Sequence, residues 1–307
     1  MTQAYVFTRN GGPETEALVE LPEKPEPGPG QLLVAVRAAG VNPVDHKIRT
    51  GFSSPGAPAP HFPVVLGGEV SGVVEAVGPD VTGFAPGDAV FGSAATGGYA
   101  EHTLVTAAIA AHKPDALSFT DAATLPVAAA TAYDGVNQLD LPPGATLLIT
   151  GVGGGVGVAA AQIAIGRGLR VVGTASAGKK DFVESLGVAH VTPGPDVAAR
   201  VRAVAPDGID AVFDLVGGAD LEAVAVLVED RTKLISAGDR QTVGRLGGEP
   251  VLRKRGTEVL DEVAKLAVSG VLRPYVTGTY PLERAGEALR AVEEGHIQGK
   301  IVIEIGA

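Results

Sequence analysis

The chain contains no cysteine and no tryptophan among its 307 residues. Without cysteine there are no disulfides, thiolate zinc ligands, iron–sulfur clusters or cysteine nucleophiles. Aromatic residues make up only 4%, too few for a surface that stacks nucleic-acid bases. Positive charge is also short. The 24 basic residues face 35 acidic ones, a formal charge of −11, so a nucleic acid or anionic membrane would need a local basic patch, and no such run occurs. No apolar stretch reaches the roughly 18 unbroken residues that span a bilayer, and the start, MTQAYVFTRNGGPE, lacks the basic-then-apolar order of a signal peptide. A cytoplasmic protein that engages neither nucleic acid nor membrane is expected. The six histidines show no H-E-x-x-H or paired spacing and no G-x-S-x-G elbow occurs, so hydrolase chemistry lacks a nucleophile in context.

What is present, 45% hydrophobic and 19% charged residues over a length that suits two domains, predicts a globular protein with a sizeable interior. The first third reads as β structure: Gln31 to Gly40, Glu69 to Gly78 and Asp88 to Ala94 are β-branched or alternating runs separated by Gly and Pro clusters. Pro25 to Gly30 and Gly51 to Pro60 read as loops. The character changes near Leu117. There a helix is predicted with Thr120 as its cap and a bend at Pro126. Strand and helix then alternate, with strands at Ala145 to Gly151, Arg170 to Ala175, Asp210 to Gly217 and Thr232 to Gly238. Such alternation forces parallel pairing through right-handed crossovers, hence a doubly wound α/β domain. In the tail, Val259, Leu260, Val263, Leu266 and Ala267 share one helical face, and a strand, a helix and the strand KIVIEI come after it. Periodicity leaves open whether that last strand extends the α/β sheet or returns to the first domain.

The most informative segment is LLITGVGGGVGVAAAQIA, a buried strand running through a glycine cluster into an alanine-rich helix. This arrangement puts a pyrophosphate on a helix N-terminus, because absent side chains let phosphate oxygens approach backbone amides. Gly151-x-x-Gly154-x-x-Gly157 is one residue longer than the G-x-G-x-x-G fingerprint, and Gly155 and Val156 fill the same turn. A packing turn that binds nothing is the alternative, but five glycines in seven positions are entropically costly for packing alone. At the end of the second strand, where NAD-selecting folds carry Asp or Glu, the chain has Thr174, Ala175 and Ser176, then Lys179 and Lys180. No carboxylate repels a 2′-phosphate there, and a hydroxyl with one or two lysines can neutralise it, which argues for NADP over NAD. The lysines read equally as the solvated first turn of a helix. Gly173-x-x-x-x-Gly178-Lys179 nearly spells a P-loop, but Lys180 stands where a magnesium-ligating Ser or Thr is needed.

These segments, with AAGVNPVDHKIRTG, FPVVLGGEVSGVVEAVGPDVTGFAPGDAVFG, GGYAEH, TLPVAAATAYDGV and HIQGKIVIEI, resemble the zinc-independent quinone oxidoreductase branch of the medium-chain dehydrogenase/reductase superfamily over nearly the whole chain. The resemblance implies an α/β protein of two domains. One is a GroES-like β-barrel catalytic domain, residues 1–117 and 253–307, to which the tail returns. The other is an inserted Rossmann doubly wound, parallel-sheet NADP-binding domain, residues 118–252.

Zinc members of that superfamily carry a Cys before Asp-His and a Gly-His-Glu further on; here Asn42 and Gly68 stand at the first-ligand places while Asp45, His46 and Glu69 remain. No catalytic metal is expected, and Glu69 is read as a support of the barrel. The implied chemistry is NADPH-dependent hydride transfer to a quinone or an α,β-unsaturated carbonyl. Asn42, Asp45 and Lys47 are the candidate catalytic residues, with Asn42 beside the nicotinamide or, alternatively, a turn residue before Pro43. Thr131, Val216 and the run Ser236, Ala237, Gly238 match places where relatives touch the nicotinamide half. Two departures stand out: Phe52 replaces the Tyr that some relatives carry near the Asn motif, and VTPGPD lacks the Tyr that some place on the adenosine phosphate. An enoyl reductase of fatty-acid or polyketide type is the enzymatic rival, and a catalytically silent NADP-binding sensor the rival from another class. The resemblance also implies a homodimer, and loops such as Phe52 to Phe62 lining the substrate pocket.

Overall fold

The computed structural model describes residues 1–53, 59–295 and 297–306. The loop read at 51–60, and the pocket-lining loop at 52–62, therefore lie partly outside the described residues, at 54–58, as does His296. The chain divides into two compact units, one of Met1–Val127, Arg255–Val268 and Val276–Ala307, the other of Ala128–Lys254 and Ser269–Tyr275.

The first unit begins with β1 (Thr2–Phe7), β2 (Glu16–Leu21), β3 (Gln31–Val41), the helix α1 (Pro43–Arg49), β4 (Val64–Val65), β5 (Glu69–Val77), β6 (Ala89–Ala94), β7 (His102–His112) and the short α2 (Phe119–Ala122). Strand β3 pairs antiparallel with β5 along its length and with β7 over residues 31–35, and β5–β6–β7 are themselves paired, so the ladder through these four strands closes on itself as a barrel. Arg49, fully buried at the end of α1, ties that helix down: it donates to the Gly11 carbonyl and to the carboxylates of Glu16 and Glu293.

The second unit runs α3 (Ala130–Leu139), β8 (Thr146–Thr150), α4 (Gly155–Gly166), β9 (Arg170–Thr174), α5 (Lys180–Ser185), β10 (Ala189–Val191), α6 (Val197–Val204), β11 (Ala211–Asp214), α7 (Gly218–Ala225), β12 (Leu234–Ser236), α8 (Arg240–Arg245) and β13 (Glu249–Pro250). Every pairing in its sheet is parallel, in the order β10-β9-β8-β11-β12-β13. Successive strands are therefore added outward in opposite directions from β8 and from β11, and the gap between those two is the switch point where open α/β sheets bind ligands outside the strand C-termini. Leu148, Val172, Val212 and Leu234 of the central strands pack against Val201, Leu221, Val224 and Val243 from the helices. Helix–strand alternation was the basis for expecting this sheet, and the structure contains it.

In the tail, α9 (Thr257–Val268) buries Val259, Leu260, Val263 and Ala264, whereas Leu266 and Ala267 are only half-buried. Then come β14 (Val276–Pro281), α10 (Ala285–Glu293) and β15 (Lys300–Glu304). The residues Ala285, Ala288, Leu289 and Val292 recur at helical spacing and enter the barrel core. Strand β15 pairs antiparallel with β3, so the tail returns to the first unit. One local reading is corrected. Ser118, not Thr120, caps α2: its hydroxyl accepts from the Asp121 N–H at 2.9 Å and donates to the Asp121 carboxylate at 2.8 Å. Pro126 does interrupt the helical path, which widens into a π-type turn over Leu125–Ala129.

Candidate functional site

Strand β8 delivers the chain to the switch point, and the glycines beyond it shape the turn into α4. Gly151 sits at φ +64°, a conformation side chains disfavour. A Cβ on Gly157 would lie 2.5 Å from Val152 Cα, so only glycine lets α4 start this close to the strand. Gly154, the extended residue that opens α4, differs: the nearest atom to a Cβ there is the Gly151 carbonyl oxygen at 3.6 Å. The cradle at the helix start is thus open. Its first N–H groups, those of Gly155, Val156 and Gly157, precede the helix's own bonding pattern and can meet an anion. The donor set and the open Cβ position of Gly154 fit a pyrophosphate.

The structure brings several predicted residues to this turn. Thr174 is buried and spends its hydroxyl on the Gly151 N–H at 3.3 Å, so it shapes the turn. Lys179 lies across it, with Cδ 2.8 Å from where a Gly153 Cβ would stand, and burial pulls its ammonium pKa down. Ser176 is exposed just before. Lys180 points elsewhere and pairs with Glu184 one turn along α5. Val216 is exposed, with Cγ2 3.0 Å from the Cβ position of Gly151. Ala237 and Gly238 are exposed beyond β12, whereas the Ser236 side chain faces inward and donates to Asp214. Thr131 is buried on α3, where Arg253 donates to its hydroxyl.

In the first unit, Asn42 opens α1 and is 4% exposed. Its Nδ2 donates to Glu69 Oε1 at 2.8 Å and its Oδ1 accepts from Lys300 Nζ at 2.7 Å. Lysine can only donate and a carboxylate only accept, so these partners fix which end of the amide is which. The remaining Nδ2 hydrogen meets, among the described residues, the Gly40 carbonyl 3.5 Å away. The Lys300 ammonium completes its three bonds with Glu69 Oε1 at 2.7 Å and the Val41 carbonyl at 2.9 Å. Glu69, wholly buried, takes the Val127 N–H on its other oxygen at 2.7 Å and so braces the barrel, as read from the sequence. Asp45 Oδ2 accepts from the Asn42 N–H at 2.9 Å and from the Tyr99 hydroxyl at 2.7 Å; burial pushes its pKa up to about 6. Lys47 is exposed on α1, apart from this cluster. Sequence reasoning missed Lys300, Tyr99 and Asp214. Lys300 and Asp214 had a signal, a charge directly abutting a run of apolar strand residues.

Comparison with known families matches residues 28–115 to the Alcohol dehydrogenase GroES-like domain and residues 186–303 to the Zinc-binding dehydrogenase family. The human quinone oxidoreductase (Homo sapiens) is 30% identical over 95% of this chain and 94% of its own length. The chain belongs to the quinone oxidoreductase branch of the medium-chain dehydrogenase/reductase superfamily. The fold agrees: the Escherichia coli quinone oxidoreductase complexed with NADPH superposes with a TM-score of 0.88 at 27% identity, covering 99% of this chain and 100% of that one. The chloroplastic NADPH-dependent alkenal/one oxidoreductase of Arabidopsis thaliana is 32% identical over 98% of this chain and 79% of its own length. The spectinabilin polyketide synthase system protein NorB of Streptomyces orinoci is 35% identical over 93% of this chain, which spans only 14% of it.

A zinc ion, which the second family's description names, does not fit these residues. Asn42 and Glu69 already hold an ammonium, Gly68 offers no donor, and among the described residues no group of three or more His, Cys, Asp or Glu could hold a metal. Among the same residues, no helix is long and apolar enough to cross a membrane.

Proposed function

We propose that the protein is an NADPH-dependent reductase of quinones or α,β-unsaturated carbonyl compounds. The observation that carries this reading is the open glycine cradle at the start of α4 with Lys179 laid across it. Bound NADPH supplies the hydride. The amides of Gly155, Val156 and Gly157 hold the pyrophosphate, with the helix dipole adding to their attraction. Lys179 and Ser176 neutralise and bond the 2′-phosphate beyond β9. Partial burial strips Lys179 of some hydration and pulls its pKa down, so a dianionic phosphate is a strong partner for it. Asn42, its amide locked between Lys300 and Glu69, offers its remaining N–H to the oxygen that gains negative charge in the acceptor. A quinone or enone spreads that charge by conjugation and needs only such a donor, with solvent water supplying the proton.

A titration following reduced-nicotinamide fluorescence tests the reading. NADPH is expected to bind at least about tenfold more tightly than NADH, and Lys179→Ala to erase most of that preference, since a charged hydrogen bond contributes roughly 1.5–3 kcal/mol. Equal affinities in the parent protein would overturn the cofactor assignment; failure to oxidise NADPH with both a quinone and an enone would overturn the reaction. The similarity to polyketide synthases supports a second reading, reduction of an enoyl thioester. Turnover of a crotonyl thioester well above that of a quinone would favour it.

A further inference from the structure

We propose that Asp214 is a positioning residue for the nicotinamide half of the cofactor, an inference that rests on the NADPH reading above. Asp214 ends β11 and is completely buried. Its Oδ1 accepts from the Thr150 hydroxyl at 2.6 Å, the Val216 N–H at 3.2 Å and the Gly217 N–H at 3.1 Å. Its Oδ2 accepts from the Ser236 hydroxyl at 2.5 Å. Both hydroxyls then work as acceptors: Thr150 Oγ1 takes the Leu215 N–H at 2.9 Å, and Ser236 Oγ takes those of Gly238 at 3.1 Å and Asp239 at 2.9 Å. One carboxylate thus ties together the ends of three adjacent parallel strands, β8, β11 and β12, and the first turns of the two loops that leave β11 and β12.

Close packing tightens the same assembly. A Cβ on Gly238 would stand 2.9 Å from the Leu215 carbonyl carbon and 3.0 Å from the Val216 nitrogen, so the two loops touch backbone to backbone. Gly217, at φ +89°, leaves no room for a side chain against Asp239, whose carboxylate accepts the Gly218 N–H at 3.1 Å. What this clamp presents outward is apolar: the exposed Val216 and Ala237, with Val216 leaning on the glycine turn.

The sheet sets the direction of the cofactor. With its pyrophosphate on α4 and its 2′-phosphate at Lys179 beyond β9, the remaining half must run the other way from β8, over β11 and β12. Asp214 holds that ground without touching the ligand. Its chemistry explains why it is an acid. All its partners are donors, and an asparagine would aim its Nδ2 at a Ser236 hydroxyl that already accepts two N–H groups.

The test compares Thr150→Val, Thr150→Ser and Asp214→Asn with the parent enzyme. It measures the affinity for NADPH, the affinity for adenosine 2′,5′-bisphosphate, which carries only the other half, and kcat and KM. Loss of a buried bond in the clamp should raise Kd and KM for NADPH by about tenfold in Thr150→Val and at least that in Asp214→Asn. The bisphosphate affinity should stay within about twofold, and Thr150→Ser, which keeps the hydroxyl, should behave like the parent. If both ligands weaken together, the clamp is only structural and the inference fails. It fails equally if folded Thr150→Val binds NADPH as the parent does, a result that stands even where Asp214→Asn does not fold. A parent protein that binds neither NADPH nor the bisphosphate removes the cofactor reading itself, and the inference with it.

Discussion

Lys300 places its ammonium among three oxygens inside the barrel, with side-chain exposures of 7% for Lys300 and 0% for Glu69. Removing one member of such a pair leaves a buried charge without compensation, which costs about 3–5 kcal/mol, whereas removing both charges costs far less. Lys300→Met should therefore be strongly destabilising in urea unfolding, and Glu69→Gln with Lys300→Met should recover most of the loss. Equal stability of the single and double variants would mean the pair is not coupled. Asp45 carries a pH dependence. Its pKa rises from 3.8 to about 6, chiefly through burial, so the folded state binds the proton more tightly than the unfolded chain. That contribution is complete below about pH 4 and lost as pH rises through 6, an effect on the order of 3 kcal/mol. The stability of the parent relative to Asp45→Asn should fall by that amount across this window; identical pH slopes would show that the group titrates as an ordinary surface acid. The acid near Asn42 was legible in the sequence because it belongs to a local motif. Its setting was not, since Lys300 lies 258 residues from Asn42 and Tyr99 lies 54 from Asp45, and no spacing rule joins them.

The glycine turn separates two roles that one residue type plays within a single element. Gly157→Ala would drive a methyl into the Val152 backbone, so it should lower the melting temperature and abolish NADPH binding together. Gly154→Ala has room and an ordinary extended backbone, so the protein should fold normally while the methyl stands where phosphate oxygens approach; NADPH affinity should fall at least about tenfold. Circular dichroism and fluorescence titration distinguish the cases, and unimpaired binding by Gly154→Ala would show that the cradle is not the phosphate site. This element was readable from sequence because strand, turn and helix succeed one another without interruption. The region before α3 was less so. Ser118 and Thr120 are both residues that cap helices, and what selects Ser118 is Asp121 three residues on, which completes a reciprocal pair. Pro126 signalled an interruption, but its form depends on the Val127 N–H turning to the distant Glu69.

Across the whole molecule, the first unit cannot be completed until the chain has passed through the second and come back. Strand β15 lies between β14 and β3, with Ile301, Val302 and Ile303 buried and Ile301 facing Val41 across the antiparallel ladder. Hydrophobic periodicity could identify the strand but not its neighbour, because an apolar run of this kind suits a parallel α/β sheet as well as a barrel. Its leading residue is what distinguishes the two places. The Lys300 ammonium finds its acceptors at the β3–α1 junction and at the start of β5, all in the barrel. Truncation after Gly299 therefore removes a ladder partner of β3, the four buried aliphatic side chains of Ile301, Val302, Ile303 and Ile305, and the cation that neutralises Glu69. Burial of each such side chain contributes roughly 1.5–3 kcal/mol, so together with the lost ion pair the deficit is comparable to the about 5–15 kcal/mol that holds a whole domain folded. The truncated chain should show no cooperative unfolding of the first unit, with rapid proteolysis between residues 1 and 127. Truncation after Glu304, which keeps the whole of β15, should restore protease resistance. A chain ending at Gly299 that resists protease as well as the longer one would show that the first unit folds without β15.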